Sequence, residues 1–453
     1  MRFSAKAMML FVLAFATLLV KSFPTFPAQT PQQKLDPTTA NRVEEMLRRG
    51  YEEVQKKYFD RNYKGVDWDG KYKECDSKMK EITSLAQGYS LVAGLMMTLD
   101  DSHTFFMPPP RPVRVEYGFR LQMIGDRAFI AHVRPDTDAD KKLHVGDEVV
   151  AYNRFTVNRD SLWKMTYYYG QLSPLQISDL ILKSPDGQQR DEKVETKVQE
   201  LPHNLNYTTN EGWKIIREQE NIQHQLRQRH VESGDVMIWK MPIFKIDNDQ
   251  VDHLFGIARK HKALILDLRE NPGGAELTLQ RMVGNVFDHE VKIADRVGRT
   301  ESKPVVAKSR GKDAYAGKLV VLIDSRSASA AELFARVMQL EKRGTVVGDR
   351  SAGAVMEAKH YNESQSGNTG VINYGFSITE ANLIMTDAKS LEHVGLVPDE
   401  VVLPTGRDLA DGKDLALVRA AELAGLTLDP VQAGKLFPFE WLPMGTELAT
   451  PGQ

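Results

Sequence analysis

Residues 320–335 read VVLIDSRSASAAELFA, and the pattern of their apolar residues changes in the middle. The first four residues are a continuous apolar run, which is typical of a buried parallel strand. Small residues follow, and the apolar positions from Ala330 to Leu340 then fit an amphipathic helix. A buried strand that leads directly into a helix predicts an α/β fold for this part of the chain.

Three serines lie between this predicted strand and helix: Ser325, Ser327 and Ser329. Serine is a favoured N-cap residue, so we expect one of them to cap the helix. A serine oxygen at a helix N-terminus also lies near the positive end of the helix dipole, which favours an oxyanion. The alanines on both sides of Ser329 would leave room for a substrate backbone, and capping alone does not explain them.

A second apolar run, residues 263–268, ends in a polar and glycine-rich sequence that includes Gly273 and Gly274. Ligand sites in open α/β sheets lie beyond the carboxyl ends of the strands. Glycines allow backbone N–H groups to approach a substrate oxygen closely. This run by itself is compatible with a simple turn as well as with a binding site.

The whole chain has 453 residues and a formal net charge of −2, with 42% hydrophobic and 26% charged residues. This length is enough for two or three domains, and the charge gives no indication of nucleic-acid binding or of a polybasic membrane surface. The single cysteine, Cys75, excludes an internal disulfide, and no Cys/His set has the spacing of a zinc site. We therefore predict no metal and no cofactor.

The N-terminal residues have the pattern of an export signal. Arg2 and Lys6 precede an apolar run from Ala7 to Val20, which is short for a membrane span but suits a signal-peptide core. Ala28 is a candidate for the last signal residue, but Phe26 lies where a small residue is preferred. Residues 1–28 are therefore interpreted as a signal peptide or an uncleaved membrane anchor, and the protein is expected outside the cytoplasm, periplasmic or secreted.

The remaining chain divides into four parts by its pattern. Residues 37–110 have helical periodicity, with helices expected near 43–54, 77–85 and 89–99. Residues 112–200 contain short alternating segments separated by turn signals, which predicts a small β-rich domain. Residues 201–430 alternate strands and helices, as expected of an α/β core, and residues 431–453 are a C-terminal tail.

Five motifs in this order resemble those of the C-terminal processing peptidases (tail-specific proteases), from about residue 37 to 425. They are Asp101-Ser102-His103-Thr104, Asp267 to Gly274, Ser327 to Glu332, Gly348 to Gly353 and Glu392 to Asp399. The resemblance implies an α/β protease core of the ClpP/crotonase-like type, with an N-terminal helical region and an inserted β-rich PDZ-like domain. It also implies that Ser329 is the nucleophile of a serine endopeptidase. The oxyanion hole would then come from backbone N–H groups of Gly273 or Gly274 with Ala330.

Two branches of this family differ in the base that activates the serine. In one branch a lysine follows the Gly-x-x-Ser/Thr-x-Gly motif directly and a glutamine follows four residues later, but this chain has Ala354 and Ala358 there. Alanine cannot accept a proton, and the odd offset of Lys359 would place it on the other face of a strand. The chain is therefore closer to the tricorn-core-like branch, in which serine, histidine and glutamate form the triad.

On this resemblance His103 is the general base and Glu392 is the carboxylate that holds it. An unperturbed histidine titrates near pKa ~6.5, which suits a general base. His393 is a rival base, but adjacent residues on a strand point in opposite directions. Ser329, His103 and Glu392 come from separated segments, so only folding can bring them together.

Tyr117, Gly118 and Phe119 resemble the carboxylate-binding loop of a PDZ domain, which binds a peptide C-terminus by strand addition. The predicted partners are polypeptide substrates and not nucleic acid. Membrane contact is expected only through the N-terminal segment. A homo-oligomer is an open alternative to a monomer. Because the lysine of the dyad is missing, a catalytically lapsed binding protein on the same scaffold is the alternative. An esterase would share the triad, but no Gly-x-Ser-x-Gly elbow surrounds Ser329.

Overall fold

The computed structural model describes residues 35–111, 113–200, 229–367 and 370–441, which form two compact units. Within these ranges no helix has the length and apolar character that crossing a bilayer requires. The predicted signal or anchor segment, residues 201–228 of the predicted core and residues 442–453 of the predicted tail lie outside the described residues.

The first unit consists of residues 35–100, 104–109 and 358–379. It contains the helices α1 (Pro37–Lys57), α2 (Trp68–Met79) and α3 (Leu85–Met97) and the strand β1 (Phe105–Met107). Helices α1 and α3 have buried apolar stripes, whose members are Val43, Met46, Leu47, Val54, Val92, Leu95 and Met96. Residues 358–379, which the sequence pattern assigned to the α/β core, belong to this unit instead.

The helix predicted near residues 77–85 is wrong, because α2 occupies an earlier segment. Asp67 caps the N-terminus of α2, and Tyr72 stacks on Tyr51 of α1 with 4.2 Å between ring centroids. Ser84, placed inside the predicted helix, instead caps α3. Aromatic stacking between helices therefore fixes α2 where its own polar sequence gives little periodicity.

Residues 113–200 of the second unit are β-rich, as their alternating pattern predicts. Their strands are β2 (Val113–Glu116), β3 (Phe119–Ile124), β4 (Arg127–Val133), β5 (Glu148–Tyr152), β6 (Phe155–Thr156), β7 (Ile177–Lys183), β8 (Gln189–Glu195) and β9 (Lys197–Glu200). The main sheet has the order β3-β4-β5-β7-β8, β6 pairs with β5, and β2 pairs with β9. Two helices, α4 (Asp138–Lys142) and α5 (Arg159–Tyr167), complete this segment. Its apolar residues, among them Phe119, Ile130 and Leu182, form a cluster of their own.

The α/β part of the second unit is built on a six-stranded sheet. Its members in spatial order are β10 (Arg229–Ser233), β11 (Val236–Lys240), β12 (Ala263–Asp267), β15 (Lys318–Ile323), β16 (Thr345–Gly348) and β19 (Glu400–Val401). Only β10 runs antiparallel to its neighbour. Strands β13 (Val291–Gly298) and β14 (Ser302–Ala307) form a separate pair that joins residues 381–385 of β18 (Gly370–Met385), which follows β17 (Met356–Gly367).

Helices cover both faces of the six-stranded sheet. The first set is α6 (Asn248–Ala258), α7 (Glu276–Gly284) and α8 (Ala330–Leu340), and the second follows α9 (Gly406–Ala410) as α10 (Leu415–Ala424) and α11 (Pro430–Leu436). Alternate residues of the buried strands enter one or the other of two apolar clusters, one with each helix set. The four central strands are therefore buried between two layers of helices, while the edge strands β10 and β19 are partly exposed.

The carboxyl ends of three parallel strands are in register. Asp267 at the end of β12 lies opposite Leu322 of β15, and Ile323 lies opposite Gly348 of β16. The turns that follow these strands therefore meet at one edge of the sheet, which is where ligand sites of open α/β sheets lie. Ser329 and the predicted oxyanion glycines belong to these turns.

Candidate active site

A buried ion network braces the end of β12. Asp267 has no exposed surface, and Arg269 donates to its Oδ2 at 2.7 Å and to Asp414 Oδ2 at 2.8 Å. Burial alone would raise the pKa of Asp267, but the charges of Arg269 and Lys240 hold it at about 2. These side chains are committed to each other, which supports a bracing role rather than chemistry.

Asp324 joins the turn after β12 to the turn after β15. Its Oδ1 accepts the N–H groups of Glu270 at 2.9 Å, Arg326 at 2.9 Å and Ser327 at 3.1 Å. The Ser327 hydroxyl donates to Leu268 O at 2.8 Å. This serine therefore holds the two turns together. Burial raises the pKa of Asp324.

Ser329 occupies the position immediately before α8, with φ +53° and ψ −118°. Positive φ is uncommon for a residue with a Cβ and is often found where function requires a strained backbone. Its N–H donates to Ala354 O at 2.8 Å and to Glu332 Oε2 at 3.0 Å. The backbone around this serine is therefore held by partners on two other segments.

The two predicted oxyanion glycines differ. The Gly273 N–H donates to Asn271 Oδ1 at 2.8 Å, so it is occupied within its own turn. A Cβ at Gly273 would lie 2.6 Å from Ser329 Cβ and 2.8 Å from the Ala330 nitrogen. Among the described residues, no acceptor is bonded to the N–H of Gly274 or of Ala330. Gly273 therefore makes the close approach to Ser329, while its own N–H is bonded within the turn.

His103 and Glu392 are linked through Ser102. The Ser102 hydroxyl lies 2.6 Å from His103 Nδ1 and donates to Glu392 Oε2 at 2.9 Å, and the Ser102 N–H donates to Glu392 Oε1 at 2.7 Å. A hydroxyl has one hydrogen, so when it donates to the carboxylate it must accept from the histidine. In the neutral ring, this arrangement places the hydrogen on Nδ1 and makes Nε2 the acceptor nitrogen.

Two short links connect this group to the serine. Val355 N–H donates to Glu392 Oε2 at 2.7 Å, while the preceding residue, Ala354, accepts the Ser329 N–H. Buried Asp101 accepts the His103 N–H at 3.0 Å and so fixes the loop of the histidine. The Ser329 backbone is thus linked to Glu392 through the Ala354–Val355 peptide unit, and Glu392 is linked to His103 through Ser102.

His393 and Lys359, the two rival bases, have surroundings that differ from those of His103. His393 is in a turn, not a strand, and its Nε2 lies 3.7 Å from Glu392 Oε1. The expectation that it points away from Glu392 is therefore wrong, although half of its side chain is exposed. Lys359 is an exposed residue of β17.

The predicted peptide-binding loop is occupied by its own chain. The Tyr117 hydroxyl donates to Tyr169 O at 2.8 Å, and the Gly118 N–H donates to Glu116 Oε1 at 3.0 Å. Glu116 is in turn paired with Arg134 at 2.9 Å. Phe119 is buried in the apolar cluster of this segment. A peptide carboxylate could use the Gly118 N–H only by displacing Glu116.

The β-rich segment contacts the strand-end turns directly. Gln122 of β3 donates to Asp324 Oδ2 at 2.9 Å, and the Ser325 hydroxyl donates to Met123 O at 2.6 Å. Arg159 of α5 donates to Asp349 Oδ2 at 2.6 Å. Polar contacts of this segment therefore reach the turns on both sides of Ser329 in the chain.

Two residues of this site carried no prediction of their own. Ser102 and Glu332 were quoted within motifs, but their chemistry depends on contacts with distant segments. The only sequence signal was their place next to a predicted catalytic residue or in a helix first turn. In the described ranges, no group of three or more His, Cys, Asp or Glu side chains has a metal-binding arrangement.

Comparison with known proteins identifies relatives of this chain. Residues 235–402 match the family model of Peptidase family S41. The tail-specific protease of Haemophilus influenzae is 29% identical over 254 residues, which are 52% of this chain and 33% of that protein. The chloroplastic C-terminal processing peptidase of Tetradesmus obliquus is 23% identical over 377 residues, 78% of this chain and 76% of that protein. The match to the Haemophilus protein spans about a third of that relative's length.

The fold has solved counterparts. The structure of mature CPAF is similar with a TM-score of 0.62 at 14% identity, covering 82% of this chain and 94% of that chain. At this identity the similarity concerns the fold alone. The family match and these relatives confirm the resemblance to the C-terminal processing peptidases.

Proposed function

We propose that this protein is a serine endopeptidase that uses Ser329, His103 and Glu392, with Ser102 between the histidine and the glutamate. The observation that carries this proposal is the backbone of Ser329, strained at φ +53° and closely approached by Gly273, next to an Ala330 N–H that has no acceptor among the described residues. Strain of this kind occurs where a nucleophile must be presented to a substrate. The family S41 match over residues 235–402 supports the same reaction class.

The reaction follows from the roles of these groups. Nε2 of His103 accepts the Ser329 hydroxyl proton as Oγ attacks the scissile carbonyl, and the oxyanion forms against the N–H groups of Gly274 and Ala330. The histidine then gives this proton to the leaving amine. Water, deprotonated by the same nitrogen, hydrolyses the acyl-enzyme and restores the Ser329 hydroxyl. Glu392 stabilises the imidazolium through the Ser102 hydroxyl in both steps.

The substrates proposed are extracytoplasmic polypeptides. Support comes from the signal-like residues 1–28 and from the name of the Haemophilus relative, a tail-specific protease. The PDZ-like segment would bind a peptide C-terminus at Tyr117, Gly118 and Phe119 once Glu116 leaves the Gly118 N–H. Membrane contact would be limited to the N-terminal segment, and self-association into a homo-oligomer is compatible with this arrangement.

Labelling with a fluorophosphonate probe tests this function, because only an activated serine reacts. We expect wild-type protein to label and to cleave a denatured protein, and Ser329→Ala to do neither while keeping its melting temperature. Ser302→Ala, at an exposed serine of β14, is the matched control and should behave as wild type.

The alternative is a catalytically lapsed binding protein. Ala354 and Ala358 favour it because they stand where the Ser–Lys branch has its lysine and its glutamine. Wild-type protein that is folded but neither labels nor cleaves would establish that alternative. Cleavage that persists in Ser329→Ala would overturn the assignment of the nucleophile.

A further inference from the structure

Glu332 is a fully buried carboxylate three residues after Ser329, in the first turn of α8. Its Oε1 accepts the Ser351 hydroxyl at 2.5 Å and the Gly353 N–H at 2.8 Å. Its Oε2 accepts the N–H groups of Ser329 and Ala354, each at 3.0 Å. The triad proposed above leaves this carboxylate without a chemical step.

All the partners of Glu332 are donors. An ionised carboxylate accepts only and has about four lone-pair positions, so these contacts saturate it. Burial raises the pKa of Glu332 to about 7, while the hydrogen bonds from Ser351, Ala354, Gly353 and Ser329 oppose that rise. The three N–H partners suit the charged form, and a proton could be accommodated only on Oε1, where the Ser351 hydroxyl oxygen can accept it.

The same carboxylate holds the segment on which Glu392 depends. Ser351, which donates to Glu332, accepts the Leu396 N–H at 2.6 Å through the same hydroxyl. The His393 N–H donates to Gly353 O at 2.8 Å, and the Ser351 N–H donates to Leu396 O at 3.0 Å. Residues 351–353 are therefore paired with the turn that follows Glu392.

A simple helix cap would account for part of this arrangement. A glutamate at this helix position often accepts the N–H of the N-cap residue, as Glu332 does from Ser329. Capping needs one oxygen only. It does not require that the second oxygen be buried and bonded to a different loop, 19 and 21 positions further along the chain.

We propose that Glu332 is a positioning residue for the proposed peptidase reaction: it fixes the strained backbone of Ser329 and the loop that bears Glu392 relative to each other. This inference rests on the proposed function. Glu332 touches no reacting atom, and it acts by tying the nucleophile N–H and the 351–354 loop to one rigid group. A displacement of about 1 Å between reacting groups can cost ~10²-fold in rate, which makes such a joint consequential.

Glu332→Gln tests the inference, because the amide keeps the shape but presents an NH2 group to donors. The readouts are the rate constant kinact and the half-saturation concentration KI for a fluorophosphonate probe, measured with the melting temperature. We expect kinact to fall roughly 10²-fold, with KI within about twofold because the probe contacts are unchanged. Glu341→Gln, at the exposed C-cap of the same helix, is the matched control and should label as wild type.

Ser351→Ala removes one donor and keeps the other three, so it tests the same joint if Glu332→Gln does not fold. Its kinact should fall by about tenfold, as expected for the loss of one hydrogen bond to a charged group. A Glu332→Gln protein that folds and labels as fast as wild type overturns the inference, as does wild-type kinact in Ser351→Ala. If wild-type protein itself does not label, the proposed function fails instead, so the two failures are distinguishable.

Discussion

The nucleophile side and the base side of this site are built differently. On the nucleophile side, residues 268–275 and 324–332, backbone N–H groups donate to buried carboxylate and amide oxygens of Asp324, Glu332 and Asn271. On the base side, residues 101–103 with Glu392, the link between base and carboxylate is one side-chain hydroxyl. The nucleophile side is held by backbone hydrogen bonds in the turns after the strands, and the base side by the hydroxyl of Ser102 on a loop.

This difference predicts where the site tolerates change. Strand ends in register give the nucleophile side fixed backbone geometry, which substitutions disturb only by steric clash or by loss of a buried acceptor. The base side depends on rotatable side chains, so its geometry should respond to single hydroxyl or ring deletions. Substitutions on the two sides should therefore differ in what they change.

The largest effect is expected from His103→Ala. The proton acceptor is lost, so kcat should fall by roughly 10²–10⁴-fold, the usual contribution of a positioned general base. His393→Ala is the matched control, since this ring also lies near Glu392 but is half exposed. It should retain activity within about twofold, as surface substitutions usually do. The measurement is cleavage of a denatured protein under saturating conditions.

Equal losses in the two histidine variants would mean that both rings take part in the reaction. A loss confined to His393→Ala would transfer the role of base to that residue. Either result would break the assignment of the base side while leaving Ser329 as nucleophile.

Gly273→Ala is the sharpest steric test of the nucleophile side. The new Cβ would lie 2.6 Å from Ser329 Cβ, and φ is +93° at this position. We expect kcat to fall by about 10²-fold, because a displacement of about 1 Å of the nucleophile can cost that much in rate. Gly311→Ala is the control, because its φ is +56° but nothing lies within 4 Å of its Cβ.

Near-wild-type turnover in Gly273→Ala would show that the turn moves away from Ser329 at little cost. The nucleophile side would then be no more rigid than the base side. A similar loss in Gly311→Ala would trace the effect to backbone strain and not to the clash.

The segments of the proposed nucleophile side are more visible in the sequence than those of the proposed base side, for a physical reason. Ser329 and the glycine turn lie in contiguous strand–turn segments, whose apolar runs and small residues are visible in the sequence. His103 and Glu392 lie in irregular segments without periodicity, so only the family resemblance singled them out. Ser102 and Glu332 were missed because their importance lies in contacts across the fold.

The other errors have similar causes. The helix near residues 77–85 was misplaced because stacking of Tyr72 on Tyr51, a contact between helices, positions α2. The argument against His393 assumed a strand where the chain makes a turn. The sequence also does not show that the Gly273 N–H is bonded to the side chain of Asn271, because that contact depends on how the turn folds.

A smaller effect is expected from Ser102→Ala, which removes the hydroxyl but keeps the backbone N–H bond to Glu392. A hydrogen bond to a charged group contributes about 1.5–3 kcal/mol, so kcat should fall by ~10–100-fold. Ser102→Thr keeps a hydroxyl and should recover most of this loss. Full activity in Ser102→Ala would mean that Glu392 reaches the histidine without Ser102, and the contrast between the two sides would weaken.

The smallest effect on turnover is expected from Arg269→Lys, which changes the brace beneath the nucleophile side. Lysine keeps the charge but cannot bond Asp267 and Asp414 with one planar group, so the free energy of unfolding should fall by about 1–3 kcal/mol. Turnover of the folded protein should stay within about twofold, because no reacting group moves. Arg407→Lys, at an exposed arginine of α9, is the control.

Acid unfolding measures how strongly Arg269 stabilises the ionised form of Asp267. The pKa of Asp267 is about 2 in the fold against 3.8 for the free side chain, so its ionisation stabilises the fold above pH 4 and this contribution is lost as the pH falls toward 2. A weaker cation raises the folded pKa, so the acid midpoint, followed by tryptophan fluorescence, should move to higher pH. An unchanged midpoint with an unchanged free energy of unfolding would show that Lys240 alone keeps Asp267 ionised. The rigidity of the nucleophile side would then come from its backbone hydrogen bonds and not from this ion network.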